Sequence, residues 1–202
     1  MASNILMPIG DGTEMMDTLY PIFRLSEECF EVVVAGPEAR TYHGVMHEIP
    51  PAENVPWDIT REQPSYHIRA TEAFSDIKPK DYDGLFLSGG RAPEYLRYDQ
   101  DLLRIIKHFF DENKPVAMVC HGVELAAAAG CLNGRKATTV AKCALDITQF
   151  GGVYADEPCV IDGNLISCRT WHDYALIFKP FLSALEKSRV IQDNGSNEQV
   201  HA

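Results

Sequence analysis

A cysteine and a histidine stand side by side at Cys120 and His121, in the run KPVAMVCHGVELAAAAG from Lys114 to Gly130. The apolar stretch before them reads as a buried strand and the alanine-rich stretch after them as a helix, so the pair falls at a strand-to-helix turn. A thiol placed there lies near the unpaired N–H groups of the first helical turn, and that dipole favours the thiolate. Moving a thiol pKa from about 8.5 to about 5.5 takes roughly 4 kcal/mol of differential stabilisation, which a helix end and one or two hydrogen bonds can supply. Gly122 lets the chain bend tightly, as the glycine after the serine does in a G-x-S-x-G elbow. Four roles are open to Cys120 at this point: nucleophile, metal ligand, redox sensor or buried hydrophobe.

Glu14 follows the first apolar run and reaches the same edge of a sheet. It has two readings. As a carboxylate it caps a helix N-terminus. If it touches Cys120, it must be protonated and donate a hydrogen bond to sulfur, because two adjacent anions repel. A carboxylic acid held in that state also serves as a general acid or base. His121 faces a geometric objection, since neighbours at a helix start point roughly 100° apart. It acts on the same target as Cys120 only if the substrate lies between them or a carboxylate turns the ring.

The elements that must position these groups follow from apolar periodicity. NILMPIG, FEVVVAG, YDGLFLSGG, PVAMVC and RKATTV read as strands, and CVIDGNLISCR as a hairpin about an Asp-Gly turn. EMMDTLYPIFRL, DQDLLRIIKHFFDENK, GVELAAAAGCL and HDYALIFKPFLSALEKS read as helices, the first loosened or kinked at Pro21. Strands alternating with helices predict a mostly parallel, doubly wound α/β sheet, with ligands gathered at the carboxyl ends of its strands. Residues 44–65 hold four prolines without a clear period and are expected to form an inserted loop; 191–202 are expected to be a polar, frayed tail, and 1–190 a single domain. His43 and His47 are spaced for metal chelation on a helix, but Gly44 and the nearby prolines place them in a loop, and no metal site is predicted.

With 202 residues, 46% of them hydrophobic, the chain can bury a real core. No run of 18 apolar residues occurs, and the first residues lack the basic flank of a signal peptide, so a soluble cytoplasmic protein without a membrane partner is expected. The six cysteines show no CxxC and no regular spacing; they read as free thiols, and Cys131, Cys143, Cys159 and Cys168 as small buried hydrophobes with no acid or histidine to activate them. The formal net charge of −11 argues against nucleic acid as a partner.

Taken together, GLFLSGGRAPEYLR, KPVAMVCHG and AAAGCLNGRKATT resemble the ThiJ/PfpI superfamily, also called the DJ-one/PfpI group, over nearly the whole chain. The similarity is greatest to the PfpI-like branch and to plant glyoxalase-type members that share GGRAPEYL. The resemblance implies a class I glutamine amidotransferase-like, flavodoxin-like fold, with Cys120 as the elbow nucleophile and Glu14 as the acid bonded to its sulfur. It also implies that His121 is turned by a glutamate of a neighbouring subunit, which falls at Glu94, and hence a homo-oligomer, a dimer or hexamer. Backbone N–H groups near Gly90 and His121 would form an oxyanion site. The segment CRTWHDYALI matches the family's S-R-x-P-x-D region at Arg169 and Asp173 but not at Trp171 and His172. Glutamine amidotransferases carry a His-x-Glu near this late position, so His172 is a further candidate acid or base beside a helix-capping role.

The expected function is then a cofactor-free, metal-free enzyme acting on small reactive carbonyls: glyoxalase III-like conversion of methylglyoxal or glyoxal to a 2-hydroxy acid, or a related deglycase activity in stress protection. The alternatives are a PfpI-like cysteine peptidase and a non-enzymatic oxidant sensor working through Cys120.

Overall fold

Apolar, β-branched runs flanked by glycine fold here as short strands buried on both faces. The structure, a computed structural model, describes residues 3–48 and 61–198. In chain order its strands are β1 (Ser3–Pro8), β2 (Thr13–Glu14), β3 (Phe30–Gly36), β4 (Thr41–Glu48), β5 (Arg61–Arg69), β6 (Glu72–Ala73), β7 (Gly84–Leu87), β8 (Val116–Val119), β9 (Lys136–Ala137), β10 (Val153–Tyr154), β11 (Cys159–Asp162) and β12 (Leu165–Cys168). The helices are α1 (Met16–Glu27), α2 (Pro93–Leu96), α3 (Gln100–Asp111), α4 (Val123–Ala128), α5 (Ala144–Thr148) and α6 (Tyr174–Glu198).

Seven strands form the central sheet in the order β11-β12-β8-β7-β1-β3-β6, parallel except for the β11–β12 hairpin. This is the doubly wound α/β architecture predicted from the sequence. Alternation along β8 shows how both faces are filled. Val116 and Met118 join the cluster that includes Leu102, Ile106 and Phe109 of α3, while Ala117 and Val119 join the one that includes Ile177, Phe178 and Phe181 of α6. Pro21 lies inside α1 without ending it. Among the described residues, no helix is long and apolar enough to cross a membrane.

Three readings need correction. The expected loop at 44–65 is in part a hairpin: β4 and β5 pair antiparallel, so His43 and His47 lie on a strand; residues 49–60 fall outside the described residues. Pro64 is tolerated because, among the described residues, β5 pairs only with β4, and an edge strand can spare an N–H. Gly44 falls at the irregularity between His43 and Val45. The run RKATTV contributes only β9, which pairs with β10 in a separate two-stranded sheet. Finally, α6 continues to Glu198, so most of the expected tail is helical.

Candidate functional site

The parallel strands β7 and β8 lie side by side, and the chain leaves β8 directly into a turn at Cys120–Gly122 before α4 begins. Cys120 itself adopts φ 53°, the left-handed region that non-glycine residues avoid. Gly122 has ordinary helical dihedrals; its missing Cβ is needed because one would strike the carbonyl oxygen of Leu87. The elbow is thus strained at the cysteine and packed closely at the glycine. Cys120 is half-buried and packs against both hydrophobic clusters.

Cys120 Sγ lies 3.3 Å from His121 Nδ1. Burial pushes the Cys120 thiol well above its usual range, the neighbouring Asp17 pushes it further, and the backbone N–H of His121 works the other way. Burial, followed by the positive charge of Lys142, lowers the His121 ring to about 3. The pair is therefore neutral thiol and neutral imidazole at neutral pH. The direction runs against the expected resting thiolate: α4 is only six residues long, and burial is the largest influence on the thiol.

Asp17, not Glu14, is the acid found beside the sulfur. A Cβ placed on Gly89 would sit 2.7 Å from Asp17 Oδ2 and 3.1 Å from Cys120 Sγ, so the two groups flank one point of the β7 terminus. Asp17 is fully enclosed; burial first, and then the charge of Glu14, raise its carboxyl well above the usual range. Its oxygens take hydrogen bonds from the hydroxyl of Tyr174 at 2.9 Å and from the backbone of Gly89. Glu14 is buried too, but its carboxylate accepts backbone N–H groups, from Asp17 at 2.7 Å and from His47 at 3.4 Å. It follows the helix-capping reading, tying α1 to β4.

The other expected residues are spread more widely. Gly90, at φ 90°, is wedged against the backbone of Gly12 and Glu14; the glycine facing sulfur is Gly89. Glu94 is exposed and pairs with Arg91 at 2.7 Å. His172 sits on Thr170, its Nδ1 3.1 Å from that hydroxyl, with its ring against Trp171. Arg169 binds Asp173 at 3.0 Å and Asp156 at 3.2 Å. A cleft of about 810 Å³ opens beside the start of α1, with Met16, Met46 and Trp171 as apolar walls and His47, Arg61 and His172 on its rim.

Asp17, Tyr174, Glu124 and Cys143 carry site geometry that sequence reasoning did not assign. The three-residue step from Glu14 to Asp17, one helical turn, was the available signal for the first. Cys143 does have acid and histidine neighbours: its Sγ lies 3.9 Å from Glu124 Oε1, and single donor atoms of His121, Glu124 and Cys143 fall within 4.8 Å of one another. Burial raises Glu124 to about 7, against the pull of Arg97; burial and then Glu124 raise Cys143 to about 12.

Comparison with known proteins gives one answer at every level. The model of the DJ-1/PfpI family matches residues 3–183. A deglycase of Thermococcus kodakarensis is 32% identical over 181 residues, 90% of this chain and 98% of that one. The deglycase PfpI of Pyrococcus furiosus is 31% identical, covering 90% and 99%. Among solved structures, a two-domain protein of Anabaena variabilis with a DJ-1/ThiJ/PfpI-like and a ferritin-like domain aligns with TM-score 0.76 at 26% identity, over 91% of this chain and 50% of that one.

Proposed function

The chain belongs to the DJ-1/PfpI family, and from that membership we propose that it is a cysteine-dependent enzyme acting on small reactive carbonyls, of the glyoxalase III or deglycase type. The observation that carries the reading is the elbow itself: Cys120 at φ 53°, its sulfur 3.3 Å from a neutral imidazole and beside a buried acid. The deglycase names of relatives at 31–32% identity point the same way.

A neutral thiol needs a base at the moment of attack, and His121, in the tautomer with its proton on Nε2, accepts the proton at Nδ1 as sulfur adds to the aldehyde carbon of a 2-oxoaldehyde. The aldehyde oxygen becomes the hydroxyl of a hemithioacetal, with backbone N–H groups at His121 and Gly90 as the proposed oxyanion site. A proton then leaves this carbon and is returned to the adjacent one. The first carbon is oxidised to a thioester and the second reduced to an alcohol, so no outside oxidant is required. Water cleaves the thioester, releasing the 2-hydroxy acid and the thiol. Asp17 keeps its proton beside the sulfur in the role the family resemblance gave to Glu14, while Glu14 positions Asp17 by holding its N–H. We assign Glu94 to the His121 of a neighbouring subunit, in a homo-oligomer of the cytoplasm.

The test is release of lactate from methylglyoxal by the purified protein. Cys120→Ser should lower the rate by roughly 10³-fold or more; an unchanged rate excludes the proposal. The buried acid beside sulfur also suits a second reading, an oxidant sensor in which Asp17 donates to a Cys120 sulfinate. Gain of two oxygens at Cys120 alone under mild peroxide, with no carbonyl turnover, would select it.

A further inference from the structure

We propose that His121, Glu124 and Cys143 form a binding site for a divalent cation of the zinc class, one that shares His121 with the carbonyl reaction and is not required by it. His121 and Glu124 are three residues apart across the turn into α4, a spacing that puts both on one side of the chain. Cys143 enters from the segment between β9 and α5, and all three residues are buried.

The geometry is close to what zinc requires. Ligand bonds of about 2.0–2.3 Å in a tetrahedron put donor atoms roughly 3.3–3.7 Å apart. Cys143 Sγ and Glu124 Oε1 are already 3.9 Å apart, and all three donors lie within 4.8 Å, so closing the site takes donor–donor shortening of at most about 1.5 Å, within reach of side-chain rotation. The carboxylate is also aimed. Arg97 takes the other oxygen of Glu124, Oε2, at 3.2 Å and is anchored by Asp146 at 3.1 Å, leaving Oε1 toward Cys143. A ligating carboxylate fixed through its second oxygen is the usual support of a metal site.

The donor set selects the ion. One imidazole nitrogen, one carboxylate oxygen and one thiolate sulfur suit Zn²⁺ and similar ions and do not suit Mg²⁺ or Ca²⁺, which take oxygen. Binding replaces the thiol proton, and the carboxyl proton of Glu124 where it is still held, and these leave to solvent as the bonds to the metal form. Cation, thiolate and carboxylate then sum to no net charge, which is the condition under which ions are tolerated in a buried place. Three protein ligands leave a fourth position open.

The probe is Co²⁺ added to protein stripped of metal by a chelator. Wild type should show a thiolate-to-cobalt charge-transfer band saturating at one equivalent. Cys120→Ser should keep the band, Cys143→Ser should lose it with affinity down about 100-fold, and Glu124→Gln should weaken binding about 10-fold. A band that survives Cys143→Ser, or that vanishes in Cys120→Ser, overturns the proposal by placing the ion on Cys120. To guard against misfolding of the Cys143 variant, zinc-loaded Cys120→Ser protein is examined by X-ray absorption. One sulfur among nitrogen and oxygen scatterers is expected, and a shell without sulfur overturns the site.

Discussion

Tyr174 and Asp17, 157 positions apart in the chain, meet in the core with the tyrosine hydroxyl donating to Asp17 Oδ1 at 2.9 Å. The bond joins the first turns of α1 and α6 beneath the elbow, and it leaves the acid beside Cys120 both enclosed and oriented. How the sulfur behaves therefore depends on a residue that no local motif announces.

Asp17→Asn removes the charge that opposes the Cys120 thiolate once Asp17 has given up its proton at alkaline pH. Burial still holds the Cys120 pKa up, but its second cause is gone. The pH midpoint for alkylation of Cys120 by iodoacetamide, followed by peptide mass spectrometry, should move down in the variant. An unmoved or raised midpoint would mean that Asp17 does not bear on the sulfur.

The same substitution changes stability with a definite sign. Asp17 is held above its usual 3.8 in the folded chain, so the folded state keeps a proton that the unfolded state gives up. That contribution is present below 3.8 and is lost as pH rises through the folded value. The difference in Tm, Asp17→Asn minus wild type, should be more positive at pH 7 than near pH 3.5.

Cys120 pays a conformational penalty at φ 53° that glycine would not. At ordinary positions glycine is less stable than alanine; here the order should invert. Cys120→Gly should exceed Cys120→Ala by about 1 kcal/mol in denaturant unfolding. A less stable glycine variant would mean that the elbow relaxes once the side chain is removed.

If Glu94 serves the His121 of a neighbouring subunit, two inactive proteins should repair each other. Mixing Cys120→Ser with Glu94→Ala under conditions that exchange subunits creates sites with an intact cysteine from one chain and an intact glutamate from the other. Partial return of lactate formation is expected. No return, with exchange verified by mass, would place any role of Glu94 within its own chain, where it pairs with Arg91.

The parts of the site that lie in one stretch were legible. An apolar run, a cysteine and a glycine before a helix define the elbow from Val116 to Gly122, and the alternating elements define the sheet. What stayed hidden was set by phase and by contacts between distant elements. Glu14 and Asp17 are one turn apart, and only the docking of α1 decides which faces the sulfur and which faces its own helix N–H groups. The hairpin was masked by proline, although Tyr42 and Val45 of β4 are buried as a half-covered strand requires. Cys143 gained its neighbours from a crossing of segments 19 residues apart.

The cysteine's place between two cores has a mechanical side. Cys120 packs against the hydrophobic cluster on each face of the sheet. An adduct on its sulfur adds volume where interiors are closely packed and yield poorly. Both layers then feel one chemical event, and amide exchange in α3 and α6 should quicken together when Cys120 is modified. The reactive atom doubles as a wedge point, through which the whole domain registers its own chemical state.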